Sequence, residues 1–364
     1  MDRERWREFL TGRGAVFAEG AVIRFGAASA RDEAAAATIG DVLADLSHLG
    51  LLAATGADAA RFLQSQVTAD LAALDASHTT LAALCNTEGR VAAVLRLWRR
   101  GAEILLEAPV ATLDDAGERL RRYLFRSDVG LADVSGRTAR LGLAGPGAEA
   151  ALGALLGGAP GRPGNAVSDG PDDGALTVLR LPGPQPRFTL HAPAVRLRHV
   201  WARLAVRARP VGRGAWGLLD IAAGIPSVCP PNVEVFMPQM LGLDVLGAVS
   251  FGKGCYLGQE AVATLQDRGR LPRRLLRARV DAPVPAPGTP LLAPPAGAPR
   301  GPGDAREEGR VVAAAPDTRG GCELLAVVRV GAERGELRLG APDGPPLTVL
   351  PLPPLPPAAT AGPG

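Results

Sequence analysis

Two distant stretches of the chain repeat one pattern. Leu52-Ala-Ala-Thr-Gly-Ala-Asp-Ala-Ala60 and Leu143-Ala-Gly-Pro-Gly-Ala-Glu-Ala-Ala151 each read as a strand end, a glycine turn and an acidic helix start. An acid in that position suits the positive end of the helix dipole. Similar elements follow both copies. After the first come strands at 81–85, 91–98 and 102–108, a helix at 111–124 and a strand at 129–134. After the second come strands at 175–181 and 187–191 and a helix at 195–205. Two related α+β halves account for this order. The other reading is that strand–glycine–helix junctions look alike in any alanine-rich chain.

Around these halves the texture changes. Residues 1–40 read as loosely ordered, with an alanine run at 34–37. The first half takes residues 41–136, its helix capped by Thr55. Its hairpin turns at Asn86-Thr-Glu-Gly89, where Gly89 can take positive φ. The second half takes residues 137–272. From 273 to 350, short β-like runs at 275–280, 310–314, 324–330 and 336–339 alternate with Pro/Gly-rich connections, which predicts a small all-β barrel or sandwich. Residues 351–364 read as a proline-rich disordered tail.

The chain is long enough for two or three domains. Its 40 basic and 37 acidic residues leave a net charge of +3, so charge alone does not argue for nucleic acid. Four cysteines, at 85, 229, 255 and 322, contain no Cys-x-x-Cys pair and predict neither a disulfide framework nor a stable metal site. Residues 1–10 are charged and lack the apolar core of a signal peptide. No uncharged apolar run reaches the roughly 18–20 residues that cross a bilayer. The expectation is a cytoplasmic protein with no membrane partner.

The densest chemistry lies in Lys253-Gly-Cys-Tyr-Leu-Gly-Gln-Glu260. Gly254 and Gly258 allow a sharp turn and close approach to the backbone. Lys253 could lower the pKa of the Cys255 thiol if the turn brings the ammonium near the sulfur. Tyr256 adds an aromatic face, and Gln259 and Glu260 add directional hydrogen-bonding groups. The plainer reading is a glycine turn before a helix with an inert buried cysteine.

This segment resembles the signature of the YgfZ-type family: lysine–glycine–cysteine–aromatic–x–glycine–glutamine–glutamate. Further stretches resemble the family in the same order over about residues 45–275. They are Thr55-Gly-Ala-Asp58, Phe62-Leu-Gln-Ser-Gln-Val-Thr-Ala-Asp70, Leu84-Cys-Asn86 with Gly89-Arg90, Tyr123-Leu-Phe-Arg-Ser-Asp-Val129, Phe236-Met-Pro-Gln239 and Ser250-Phe251. The resemblance implies a GcvT-like, aminomethyltransferase-type α+β fold: two halves around a central folate cavity, followed by a C-terminal β-barrel. It implies a protein that binds tetrahydrofolate or a derivative and supports iron–sulfur cluster assembly or repair, and thereby tRNA modification. The implied partners are folate and iron–sulfur enzymes, tRNA-modifying ones among them. Cys255 would act as a transient cluster ligand or a redox thiol, with Lys253 beside it as the second catalytic candidate. Trp216 is the candidate pterin contact and Arg126 the candidate for the folate glutamate tail, against readings as a core tryptophan and a surface charge.

The sequence departs from the family at several places. The strand that carries an aspartate pair in aminomethyltransferases reads Val91-Ala-Ala-Val94 here, and another carboxylate position falls at Ala222. Leu49 and Leu51 are aliphatic where relatives use a second aromatic, and Glu88 stands where lysine is common. Without placed groups, aminomethyl transfer loses its acid–base chemistry, so a classical enzyme is not expected; if the chain is one, it is a tetrahydrofolate-dependent transferase. The remaining alternative is a direct tRNA-binding factor using Arg96, Arg99, Arg100, Arg119, Arg121 and Arg122 as one basic face. Direct nucleic-acid binding is not the expectation, because acids are interspersed.

Overall fold

The computed structural model describes residues 2–170, 174–267, 269–293 and 306–353. Elements run in the order α1 (Asp2–Thr11), β1 (Ala15–Ala18), β2 (Ala21–Phe25), α2 (Ala30–Ile39) and β3 (Val42–Asp45). The first repeat follows as β4 (Leu49–Thr55), α3 (Ala59–Gln64), β5 (Thr79–Cys85), β6 (Val91–Arg100), β7 (Glu103–Pro109), α4 (Val110–Arg121) and β8 (Gly130–Asp133). The second is β9 (Ala139–Ala144), α5 (Ala148–Leu156), β10 (Ala166–Asp169), β11 (Leu176–Leu181), β12 (Arg187–Ala192), α6 (Ala194–Leu204) and β13 (Arg209–Val211). Then come α7 (Arg213–Ala222), α8 (Gln259–Asp267), β14 (Arg273–Val280), β15 (Pro290–Ala293), β16 (Arg306–Pro316), β17 (Cys322–Arg329), β18 (Arg338–Leu339) and β19 (Leu347–Leu350).

The two repeats match element for element. One sheet has the order β5-β6-β7-β4-β8 and the other β10-β11-β12-β9-β3-β13. One strand from before the first repeat crosses to the second sheet. β3, just before β4, pairs antiparallel with β9, while β8, just before β9, pairs antiparallel with β4. The span 41–136 therefore includes one strand, β3, that joins the other sheet, because sequence order cannot reveal which sheet a short linking strand joins. Both glycine turns are required: Gly56 and Gly145 have φ of +101° and +135°, and a Cβ there would lie 2.2 Å from the Asp128 carbonyl oxygen and 2.3 Å from the Asp41 carboxylate. Thr55 ends β4, and Asp58 is the N-cap residue of α3 in its place.

Residues 2–40 are not loose. They form a helix, a β-hairpin and a second helix. Trp6 and Leu10 on α1 and Phe25 on β2 join Trp201 of α6 in the core under the second sheet. The Trp6 indole donates to the buried Asp45 carboxylate at 2.7 Å. A charge-dense helix with one narrow apolar stripe gives little periodic signal of its own; its stability comes from docking.

α7 ties the parts together through two faces. Trp216 and Leu219 pack with Val42, Ala44 and Val211 of the second sheet. Leu218 and Ile221 pack with Val312, Ala315 and Leu325 of the C-terminal sheet. That sheet, β18-β15-β16-β17-β14-β19, curls until its edges meet at an Arg338–Pro346 bridge. β15 and β19 went unread in the sequence because Pro and Gly interrupt their neighbourhoods. The disordered tail expected at 351–364 falls largely outside the described residues, which end at Pro353.

Candidate functional site

Alternation along β6 and β12 builds a polar seam between the two sheets. Ala93, Leu95 and Leu97 face one core, and Phe188, Leu190 and Ala192 face the other. The opposite faces put Arg96, Trp98, Arg187, Thr189 and His191 toward each other, all buried, with Trp98 and His191 ring centroids 4.7 Å apart. A cavity of about 100 Å³ opens in this seam, lined by Arg96, Glu107, Thr189, Trp216 and Asp220 among apolar neighbours that include Leu49.

The seam is short of partners. Among the described residues, Glu107 Oε2, His191 Nδ1 and two nitrogens of Arg187 are buried without hydrogen bonds. Arg187 pairs with Asp220, and its guanidinium sits 5.0 Å over the Trp216 ring. Burial pushes the Glu107 pKa up to about 7, opposed by Arg140 and Arg96. Burial likewise drives His191 well below the ordinary imidazole value. Because Glu107 titrates near 7 when folded and near 4.5 otherwise, the folded chain binds the extra proton between those values. Its contribution to stability therefore falls as pH rises through that window. Glu107→Gln should raise stability at pH 8 by about 2–3 kcal/mol and have little effect near pH 4. Urea unfolding at both pH values checks this.

These carboxylates were missed in the sequence. Glu107 was legible as a charge inside the apolar strand Ile104-Leu-Leu-Glu-Ala108, and Asp220 closes the same segment as Trp216. Trp216 does reach the cavity, but at 2% exposure, with its ring against Gly142, where a Cβ would lie 2.5 Å away. Arg126 does not line the cavity. It sits on the exposed loop after α4 with φ +55°, its guanidinium 5.1 Å from the Phe125 ring centroid.

The Cys255 segment packs on the first half, although the chain order places it with the second. Three motifs that are remote in sequence meet there. Thr68 accepts from Ala83 N–H at 2.8 Å and donates to the Ala248 carbonyl at 2.6 Å, while Ser250 N–H reaches the Thr68 carbonyl. Gln239 donates to the Val262 carbonyl of α8 at 2.7 Å. Gly258 presses on the β5–β6 turn: with φ +80°, its Cβ would lie 2.3 Å from the Asn86 carbonyl oxygen and 2.9 Å from Gly89 Cα.

Lys253 has a different task from the one expected. Its ammonium donates to the carbonyls of Gln64, Val67 and Ala69 at 2.6, 2.8 and 2.7 Å. All three protons are committed, so none is left for the Cys255 sulfur. Burial pushes its pKa down to about 8, with Asp70 opposing. The ammonium also lies 5.3 Å from the Tyr256 ring centroid, and burial raises that phenol to about 12. Lys253 is thus a positioning residue that clamps the loop to residues 64–69.

The clamp leaves the Cys255 thiol exposed while Cys85 and Cys322 are buried and Cys229 is partly so. Burial pushes Cys85 to about 12 and Cys322 to about 11, and raises Cys229 as well. Cys255, Gln259 and Glu260 share an open hollow of about 480 Å³ with Ser65, Gln66 and Thr87; Gly254 is an exposed loop residue beside it. Gln259 Oε1 accepts from Tyr256 N–H at 3.3 Å, and Glu260 sits in the first turn of α8. Cys229 does not line this hollow. No group of three or more metal-ligating side chains occurs among the described residues. The six arginines of the alternative RNA face do not form one surface. Arg96 is buried in the seam, Arg100 pairs with Glu103, and Arg119 pairs with Asp115 and Glu234.

The geometry agrees with known proteins. Residues 12–160 match the model of the GCVT N-terminal domain. The chain is 38% identical over 233 residues to the tRNA-modifying protein YgfZ of Edwardsiella ictaluri, covering 63% of this chain and 68% of that one. It is 34% identical to the protein of the same name from Yersinia enterocolitica, covering 64% and 69%. The glycine cleavage system aminomethyltransferase T of Bartonella henselae superimposes with a TM-score of 0.74 at 19% identity, covering 94% of both chains. That likeness establishes the fold and carries no activity with it.

Proposed function

This chain belongs to the YgfZ family, and from that premise we propose that it is a folate-binding accessory protein that supports iron–sulfur cluster assembly or repair, and thereby tRNA modification, through Cys255. The observation that carries the proposal is the exposed thiol held on a clamped loop. A lysine that spends three hydrogen bonds on backbone carbonyls fixes the loop, while the sulfur beside it is left free. A structural cysteine would be buried, as Cys85 is. One thiolate is one ligand, and clusters usually need four, so a partner would supply the rest. The relatives' printed name, tRNA-modifying protein, supports the downstream role.

The seam fits the head of a folate better than the whole molecule. About 100 Å³ holds several waters and lies well below the roughly 300 Å³ of ordinary ligand pockets. Glu107 offers an acceptor to a ring N–H, and Arg96 and Arg187 offer donors; the glutamate tail would have to leave through the open side. Bound tetrahydrofolate supplies a one-carbon carrier. The chain's own contribution is orientation: Glu107 and Asp220 would hold the ring edge, and Trp216 with Leu49 would exclude water. No helix among the described residues is long and apolar enough to cross a membrane, and we place the protein in the cytoplasm with its expected clients.

The test has two arms. Calorimetry with tetrahydrofolate should give binding that Asp220→Asn weakens about tenfold or more, the cost of one charge-assisted hydrogen bond. No binding at millimolar ligand would remove folate from the reading. In a deletion strain, Cys255→Ser should fail to restore iron–sulfur enzyme activity; full restoration would remove Cys255.

A further inference from the structure

The hollow beside Cys255 does not end at the loop. Gln66, Thr87 and Leu257 are shared walls with a second hollow of about 180 Å³, which runs to Arg119, Arg122 and Tyr123 at the end of α4. The two form one groove with the thiol at one end and guanidinium groups at the other.

Gln66 marks the middle of this groove. It is 7% exposed, its Nε2 donates to Ser65 Oγ at 3.1 Å, and its Oε1 has no partner among the described residues. A buried amide oxygen left unpaired is costly, and it calls for an N–H or O–H from whatever fills the groove. At the far end, Arg119 is committed to Asp115 and Glu234 at 2.7 and 2.6 Å. Arg122 is exposed and forms no ion pair among the described residues, and the half-exposed Tyr123 stands beside it.

In order along the groove, the walls offer a sulfur, an acceptor and a cation. The complementary ligand carries a sulfur, an amide N–H and a carboxylate. A simple phosphate would satisfy Arg122 and leave the other two unmet. We propose that this groove binds a small carboxylate-bearing peptide thiol, delivered as its disulfide, and that Cys255 exchanges with it. The Cys255 thiolate attacks one sulfur of the disulfide. A new S–S bond forms as the old one breaks, and the departing thiolate takes up a proton. Cys255 is oxidised to the mixed disulfide and one ligand sulfur is reduced to the thiol, so no other reductant or oxidant is needed. The other thiol on the groove wall, Cys85, is buried and is not a resolving partner. The exchange is independent of the folate reading, because it uses no residue of the seam.

The full chain, reduced, is mixed separately with glutathione disulfide and with cystamine, an anionic and a cationic probe. Modification is followed by intact mass, each rate normalised to that of a short cysteine peptide. Wild type should take up one glutathione, with a normalised rate about tenfold above that for cystamine. Arg122→Glu, at an exposed position, should abolish or reverse that preference. Gln66→Leu should slow glutathione and leave cystamine unchanged. Cys255→Ser should stay unmodified. Equal normalised rates for the two probes, an unchanged preference in Arg122→Glu, or modification of Cys255→Ser would each overturn the proposal.

Discussion

Lys253→Met is expected to lower the free energy of unfolding by about 3 kcal/mol. Three buried carbonyls each lose a charge-assisted hydrogen bond, and such bonds are worth about 1.5–3 kcal/mol apiece. The gross loss is offset in part, because methionine no longer carries an ammonium into a buried site. The methylene stem of methionine keeps most of the packing against Tyr256, so the effect reports the ammonium. The damage should be local as well as global. The carbonyls of Gln64, Val67 and Ala69 lie in the segment that also bridges β5 to the loop at 248–250. Urea unfolding measures the loss, and amide hydrogen exchange should show earlier opening at residues 64–70 and 250–257. A loss below about 1 kcal/mol would mean that the three carbonyls find water at little cost, and that the loop is held by Tyr256 and Gln259.

Gly258→Ala is expected to cost at least as much, about 3 kcal/mol or more, through strain and collision together. At φ +80° an L-residue is strained before any neighbour is met. The added methyl then lands 2.3 Å from the Asn86 carbonyl oxygen, a backbone atom that cannot swing aside. Either the β5–β6 turn or the start of α8 must shift, and Cys255 lies three residues before the pivot. Thermal unfolding should show the loss. Gly89→Ala, whose Cβ meets nothing nearer than 3.1 Å, should lose less. Equal losses in the two variants would place the cost in backbone conformation alone.

These two residues show what was legible beforehand. The spacing of Lys253, Gly254, Cys255 and Gly258 is a local property of the chain, so the sequence marks the segment as unusual; of its two glycines the structure requires Gly258, while a Cβ at Gly254 would meet open space. The halves were legible for the same reason: strand end, glycine and acidic helix start recur as a local signature, and β4, β5, β6, β7 and β9 lie near where alternation puts them. α1 was not legible, because its few apolar residues matter only once Trp201 is there to receive them. β3 was not, because a four-residue strand carries no label for the sheet it joins, whereas β8 lies where the sequence places a strand.

By itself, the sequence determined the family, the two α+β repeats with their β-rich end, and the thiol around which function is to be sought. Short-range pattern is sufficient for each of these. Tertiary structure alone decided what the groups do. It committed the Lys253 protons to carbonyls almost two hundred residues away in the chain, took Arg126 out of the cavity, and brought Glu107, Arg187 and Asp220 to the seam where no carboxylate was expected. Hydrogen bonding and burial depend on distance in space, and pairs so far apart along the chain leave no periodic trace in a single sequence.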